Sequence, residues 1–216
     1  MSPTTTSGSD IWAVLLAAGL STRMGSPKAL LPWMGTTLVE YHLAQFAASR
    51  ASGVTLVLGH EAEAIRARVE GRGGVGVVEN RDYRRGRASS VVAGVQASPP
   101  DCKALLILNV DQPRPAWLID EVVEAHLLGE AKITIPVHGG RRGHPTVFDG
   151  RLRDELLGIT EEGLGLREVV RRDRDRVGEG EVSSALIYLD VNTPEEYRRA
   201  LRREGEFRGP GLLDNP

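Results

Sequence analysis

Arg23 and Lys28 stand five residues apart inside a run rich in small residues, Leu15-Leu16-Ala17-Ala18-Gly19-Leu20-Ser21-Thr22-Arg23-Met24-Gly25-Ser26-Pro27-Lys28. The run starts as a buried strand, Ile11 to Leu16, and breaks into a loop. Open α/β sheets bind ligands at such strand ends. Small residues let backbone approach a ligand, and successive N–H groups can face an anion. Arg23 and Lys28 add positive charge, so the chemistry suggested is binding of a triphosphate. A Gly-rich connection with two solvated cations is the plainer reading. Two familiar phosphate loops are excluded. No Gly-Lys-Ser/Thr follows Gly25, and Leu20-Ser21 after Gly19 breaks GxGxxG.

Three further groups carry chemistry-bearing residues. The near-continuous apolar run Ala104 to Val110 ends in Asp111-Gln112-Pro113. A carboxylate at the tip of a buried strand suits Mg²⁺, which takes one or two carboxylates plus phosphate oxygens. A turn cap before Pro113 is the alternative for Asp111. Asp190 and Asn192 lie just before Thr193-Pro194-Glu195-Glu196, and their alternation can aim both side chains at one site. A turn held by those two side chains is the alternative. The polar, basic stretch Asn80 to Ser90 feeds a helix through Val91, Val92 and Val95. Serines there are ordinary caps, and a helix N-terminus beside a basic loop is also a platform for an anion or a nucleobase.

These motifs, in this order, resemble the nucleotidyltransferases that complete the molybdenum cofactor, the cytidylyltransferases above all. The likeness spans roughly Val14 to Leu201 and rests on Leu-Ala-Ala-Gly-x-Ser-x-Arg-Met-Gly-x-x-Lys, Asp111-Gln112-Pro113 and the Asp190-Val191-Asn192-Thr193-Pro194 segment. Guanylyltransferase relatives usually carry Gly where this chain has Ala18. The resemblance implies that Ala17, Ala18, Gly19 and Gly25 cradle the nucleotide, and that Gly86, Ser89 and Ser90 contact it. Arg87 stands where the family has Met. The resemblance also implies that Asp111 holds the metal with Asp190 or Asn192. Arg23 then holds the β,γ-phosphates and Lys28 lies at the α-phosphate. The segment Arg141-Arg142-Gly143-His144-Pro145 resembles one on the acceptor side, which makes His144 a substrate-binding candidate. The implied cofactor is Mg²⁺, the implied donor CTP, and the implied acceptor the phosphate of a molybdopterin carrying molybdenum. A molybdenum hydroxylase is the implied recipient of the product.

The elements that must position these residues follow from patterning. The chain has 216 residues, 41% hydrophobic, which suits one sizeable α/β domain. Apolar runs alternate with helical patterns, so the expected fold is a single-domain, Rossmann-like three-layer α/β sandwich. Its sheet is expected to be mainly parallel with one antiparallel hairpin element, as in nucleotide-diphospho-sugar transferases. Strands are expected at Val54 to Leu58, Val75 to Val78, Ala104 to Val110, Ile133 to Val137 and Ala185 to Leu189. Gly139-Gly140 is expected to turn the chain toward Thr146 to Phe148 as a hairpin. Thr37 with Glu40, and Thr193 with Glu196, form capping boxes. Pro115 is expected as a first helical residue. The Arg171 to Arg176 run, alternating with Asp, reads as a solvated face.

Residues 1–10 read as a disordered leader, 11–204 as the domain and 205–216 as a flexible tail. A lone Cys102, no signal peptide and no membrane-length apolar run point to the cytoplasm. The net charge of −2 gives no global pull toward nucleic acid or membrane, so any anion site is local. Two rivals remain. One is the same fold acting on another acceptor, by GTP-dependent transfer or on a sugar 1-phosphate. The other is a non-catalytic nucleotide or cofactor carrier.

Overall fold

The computed structural model describes residues 10–172 and 174–209. In chain order the elements begin with β1 Ile11–Ala17, β2 Pro32–Trp33, β3 Thr36–Thr37, α1 Leu38–Ala48, β4 Gly53–Leu58, α2 Ala62–Val69 and β5 Val75–Glu79. They continue with α3 Arg87–Ala97, β6 Ala104–Asn109, α4 Ala116–Leu128, β7 Ile133–His138, β8 Arg141–Arg142 and β9 Thr146–Asp149. The last are α5 Arg153–Leu157, α6 Leu166–Arg172, β10 Val177–Glu181 and α7 Pro194–Leu201.

One sheet runs in the order β10-β7-β9-β6-β1-β4-β5, with β8 on β7, while β2 and β3 pair separately. β9 runs against both β6 and β7; β6, β1, β4 and β5 are mutually parallel. The alternation of β1 divides the core. Ile11, Ala13, Leu15 and Ala17 face a cluster with Phe46, Leu118 and Val122; Val14 and Leu16 face Val91, Val95 and Leu156. Helices therefore cover both faces, giving the three-layer sandwich expected. Each fully buried Leu or Phe on these faces contributes about 1.5–3 kcal/mol by leaving water.

Both capping boxes form, on α1 through Thr37 and Glu40 and on α7 through Thr193 and Glu196. β1 continues to β4 and β5 on one side and pairs with β6 on the other, so the chain changes direction between β1 and β6. The crevice at the C-terminal ends of those two strands is where such sheets bind ligands.

Four details differ from expectation. Ala185–Tyr188 is a 3-10 turn, not the last strand, and Val177–Glu181 takes the sheet edge instead. Gly178 and Gly180 allow this: an added Cβ would stand 2.6 Å from the Cβ of Ala131 and of Ala125 respectively. The Gly139-Gly140 turn closes β7 onto the two-residue β8, and β9 returns to pair with β7 on its other edge. Pro115 is the cap before α4 and not its first residue. Residues 205–209, read as tail, belong to a docked turn in which Phe207 packs edge-on against Trp33 at 5.4 Å between ring centroids. Of the leader reading, residues 1–9 lie outside the described residues, as does the tail beyond 209, while Asp10 pairs with Lys103 at 2.8 Å.

Candidate active site

The loop after β1 folds back on itself. Ser21 Oγ accepts from the Lys28 backbone N–H at 3.0 Å, and Ser21 O accepts from Met24 N–H at 2.9 Å. Ser21 and Gly25 both take positive φ, which shapes the loop into a tight curl. The curl delivers Lys28 to the tip of β6. There the Lys28 ammonium donates to Asp111 Oδ2 at 2.6 Å and to Asn192 Oδ1 at 2.8 Å. Arg23 donates to the same Asn192 oxygen at 3.3 Å. Three separate segments thus meet on one ammonium group.

The Asp190 segment is fastened beside Asp111. Val191 N–H donates to Asp111 O at 2.8 Å, and Gln112 Nε2 donates to Asp190 Oδ1 at 3.0 Å. Gln112 Oε1 is itself held by Asn109, through its backbone N–H and its side-chain amide. Glu196 Oε2 accepts from Asn192 N–H at 2.8 Å, so the α7 capping box also fixes Asn192. Burial raises the Asp190 pKa, the Gln112 bond opposes that, and the Asp111 carboxylate reinforces it.

The Asp190 carboxylate, its proton affinity raised beside Asp111, and the amide oxygen of Asn192 form with Asp111 a donor set that a divalent cation relieves. Among the described residues no cluster of three or more His, Cys, Asp or Glu side chains could hold a metal. The sparse set fits Mg²⁺, which keeps waters and takes phosphate oxygens from its substrate.

Beneath this layer lies Arg114, fully buried and missed in the sequence. Its guanidinium donates to the carbonyls of His144 at 3.0 Å, Pro113 at 2.9 Å, Leu189 at 2.8 Å and Ile187 at 2.8 Å. It ties the strand tip, the His144 segment and the Asp190 segment together. Burial lowers its pKa to about 10, with Asp190 and Asp111 opposing, so it stays charged at neutral pH. His144 lies at the same junction. Burial, aided by the positive charges of Arg114 and Arg87, pushes its imidazole down to about 4. It is therefore neutral at pH 7, a hydrogen-bonding group and not a cation.

A cleft of about 630 Å³ opens over these residues. Of the expected site residues, Ala17, Ala18, Gly19, Lys28, Gly86, Ser90, Asp111, His144, Asp190 and Asn192 line it. Ala18 O also accepts from His60 N–H at 3.2 Å, which leaves one lone pair of that carbonyl for a ligand. Arg23 reaches the rim through Asn192, and Gly25 shapes the loop without lining the cleft. Ser89 turns away: its hydroxyl donates to Gly86 O at 2.8 Å and accepts from Asn80 Nδ2 at 2.9 Å. The N-terminus of α3 differs from the open anion platform expected. Glu161 Oε2 accepts from Ala88 N–H at 2.8 Å, placing the protein's own carboxylate there.

The sequence reading also missed Gly59, His60, Tyr83 and Arg167. Tyr83, His60 and Arg167 line the cleft, and an added Cβ on Gly59 would stand 2.8 Å from Ala18 O and from Tyr83 Cβ. No local signal marks them, because each matters only through a neighbour distant in the chain.

The chain matches a MobA-like NTP transferase domain over residues 13–177. It is 32% identical over 200 residues to nicotine blue oxidoreductase of Paenarthrobacter nicotinovorans, covering 88% of this chain and 96% of the relative. It is 27% identical to molybdenum cofactor cytidylyltransferase of Escherichia coli K12, covering 92% and 100%. The crystal structure of Rv0371C from Mycobacterium tuberculosis H37Rv in complex with manganese superposes with a TM-score of 0.71, at 27% identity over 89% of this chain and 98% of that one. No helix among the described residues is long and apolar enough to cross a membrane.

Proposed function

The chain belongs to the family of MobA-like NTP transferase domains, and from that premise we propose that it moves CMP from CTP onto the phosphate of molybdenum-loaded molybdopterin, releasing pyrophosphate. The observation that carries this reading is the Lys28 ammonium bridging Asp111 and Asn192 at the crevice between β1 and β6. A cation held there is placed for the negative charge that builds on a transferring phosphoryl group.

An acceptor phosphate oxygen attacks the α-phosphorus, a new P–O–P bond forms, and the bond to the β-phosphate breaks with its electrons leaving on pyrophosphate. The acceptor phosphate has a second pKa near ~6 and needs no general base. That agrees with a cleft whose one histidine from the acceptor segment, His144, is neutral at pH 7. Lys28 steadies the α-phosphate, and Arg23 meets the β,γ-phosphates from the rim. Ala17, Ala18 and Gly19 offer backbone groups to the base edge, with Gly86 and Ser90 opposite. Mg²⁺ held by Asp111, with Asp190 or the Asn192 amide oxygen, would screen and align the phosphates. The manganese complex of a related protein supports divalent metal use. Catalysis comes from positioning and electrostatics.

The relative named as an oxidoreductase keeps a second reading in play, in which the cleft binds a nucleotide or cofactor without transfer. The absent GxGxxG fingerprint argues against a dinucleotide-dependent reductase built on the usual loop. One assay separates the readings: pyrophosphate release from CTP, GTP, ATP and UTP with Mg²⁺ and molybdenum-loaded molybdopterin. Release with CTP, lost in Asp111→Ala, supports the proposal. Release with GTP alone overturns the base assignment. No release from folded protein that binds nucleotide overturns transfer to this acceptor, and sugar 1-phosphates are then the substrates to try.

A further inference from the structure

The start of α3 is held more firmly than a helix end requires. Gly86, the residue before it, has a φ of 114°, a conformation that side chains rarely adopt. Its N–H donates to Tyr83 O at 3.3 Å, and its carbonyl accepts from the Ser89 hydroxyl at 2.8 Å. Where a Cβ would project, Glu161 fills the space: an added methyl group would stand 2.5 Å from Glu161 Cδ and 2.6 Å from its Oε2. The same Oε2 accepts from Ala88 N–H at 2.8 Å. Arg87 lies between these two contacts, so its backbone is fixed from both sides.

Glu161 is itself set by a closed turn. Its carbonyl accepts from Leu164 N–H at 3.1 Å, and Thr160 O accepts from Gly165 N–H at 2.9 Å. Leu164 and Gly165 both take positive φ to make that turn. A carboxylate 73 residues along the chain from Ala88 is thereby delivered to α3. An ordinary cap explains the bond to Ala88 but not the glycine that makes room for the carboxylate.

Arg87 lines the same cleft as Lys28 and Asp111. Ala29, beside Lys28, packs in the core cluster on one face of the sheet, and Ala88, beside Arg87, in the cluster on the other. The two cations therefore approach the cleft from opposite faces. Lys28 is engaged by Asp111 and Asn192. The Arg87 guanidinium makes no hydrogen bond or ion pair among the described residues, while Asp111 and Asp190 both lie within electrostatic reach of it. A planar fork left open beside those carboxylates suits two oxygens of one phosphate.

We propose that Arg87 is a further catalytic residue, meeting the α-phosphate of the donor nucleotide from the face opposite Lys28, and that Glu161 is the positioning residue that aims it. This deepens the transferase reading above and rests on it. Two N–H groups of Arg87 hold the non-bridging α-oxygens, on which charge builds as the acceptor oxygen bonds and pyrophosphate leaves. No bond to Arg87 forms or breaks, and no proton moves to or from it.

The binding test needs neither turnover nor acceptor. CMP, GMP, AMP and UMP, whose single phosphate is the α-phosphate, and their parent nucleosides are titrated calorimetrically into the full chain. For the tightest-binding base, the monophosphate is expected to bind wild type more tightly than the nucleoside. Arg87→Met should cut that preference about tenfold, the worth of one charged hydrogen-bonding group. Glu161→Ala should cut it nearly as far, and the double variant Arg87→Met/Glu161→Ala no further than Arg87→Met alone. Glu162→Gln, at the neighbouring carboxylate that lines the cavity behind α3, should leave it unchanged. A preference that survives in Arg87→Met overturns the catalytic role, and additive losses in the double variant overturn the positioning role. Should Glu161→Ala fail to fold, Gly86→Ala, which forces the carboxylate off the helix, carries the same expectation. In turnover, Arg87→Met should lower kcat about tenfold or more at saturating substrates; an unchanged kcat overturns the proposal as well. Wild-type protein that prefers the monophosphate but releases no pyrophosphate would reject the transferase reading, and the titrations would still decide whether Arg87 binds the phosphate.

Discussion

The Lys28 ammonium stands 2.6 Å from Asp111 Oδ2, although 83 residues separate them, and both side chains are largely shielded, with 13% and 19% of their surface exposed. The loop after β1 and the tip of β6 are thereby one electrostatic unit. Lys28→Ala is expected to reduce kcat about 10²–10³-fold, as loss of other transition-state charge stabilisers does, with a much smaller change in KM. An unchanged single-turnover rate in the variant would remove Lys28 from the chemistry.

Arg114 makes its contribution from below. Its removal leaves the carbonyls of His144 and Leu189 without this donor in the interior, and Ile187 O with the His144 N–H alone. Arg114→Met should destabilise the fold by about 3–5 kcal/mol, the usual cost of breaking a buried charged network. Arg114→Lys should rescue little, because an ammonium lacks the planar fork that reaches these carbonyls together. Urea unfolding of both variants measures this, and a near-native midpoint for the lysine variant would contradict it.

His42 is fully buried beneath the β6 tip, with Nε2 2.9 Å from Val110 O. Burial pushes its imidazole down from the ordinary 6.5 to about 4. The unfolded chain binds this proton first as pH falls, so the contribution is fully present above about pH 6.5 and is lost progressively toward pH 4. The loss should approach roughly 3 kcal/mol at pH 4. Stability curves between pH 7 and pH 4 should be flatter in His42→Gln; an identical slope would show that His42 does not set it.

Gly59 underlies the wall of the cleft that Ala18 and Tyr83 line. A methyl group there meets Ala18 O and Tyr83 Cβ at 2.8 Å, so backbone or ring must shift. Gly59→Ala should cost about 1–3 kcal/mol, as overpacking does, and raise the KM for the triphosphate more than the KM for the acceptor. Equal effects on both substrates would mean that the shift reaches the whole cleft.

Much of this arrangement is legible in local sequence. The β1 run, the small-residue loop, both capping boxes and the apolar β6 run ending at Asp111 each depend on residues adjacent in the chain. The strand at the sheet edge was hidden for a different reason. Ala185 to Leu189 has the apolarity of a strand but folds as a 3-10 turn over Arg114, which takes the Ile187 and Leu189 carbonyls. Val177–Glu181, poor in apolar residues, wins the edge because its glycines admit the side chains of Ala125 and Ala131. That competition is settled by shape at a distance, which no hydropathy period records.

The sequence by itself determined the layered fold, the small-residue loop after β1 and the identity of Lys28, Asp111, Asp190 and Asn192 as residues of interest, since motif spacing and periodicity are properties of neighbours in the chain. Only the tertiary structure decided that one ammonium would join three of those segments and that a single buried guanidinium would tie the His144 and Leu189 segments to the tip of β6. It also decided that Arg172 and Arg176 of an apparently balanced run would both meet Glu155, for a charge's partners are set by distance in space and by the dielectric around it.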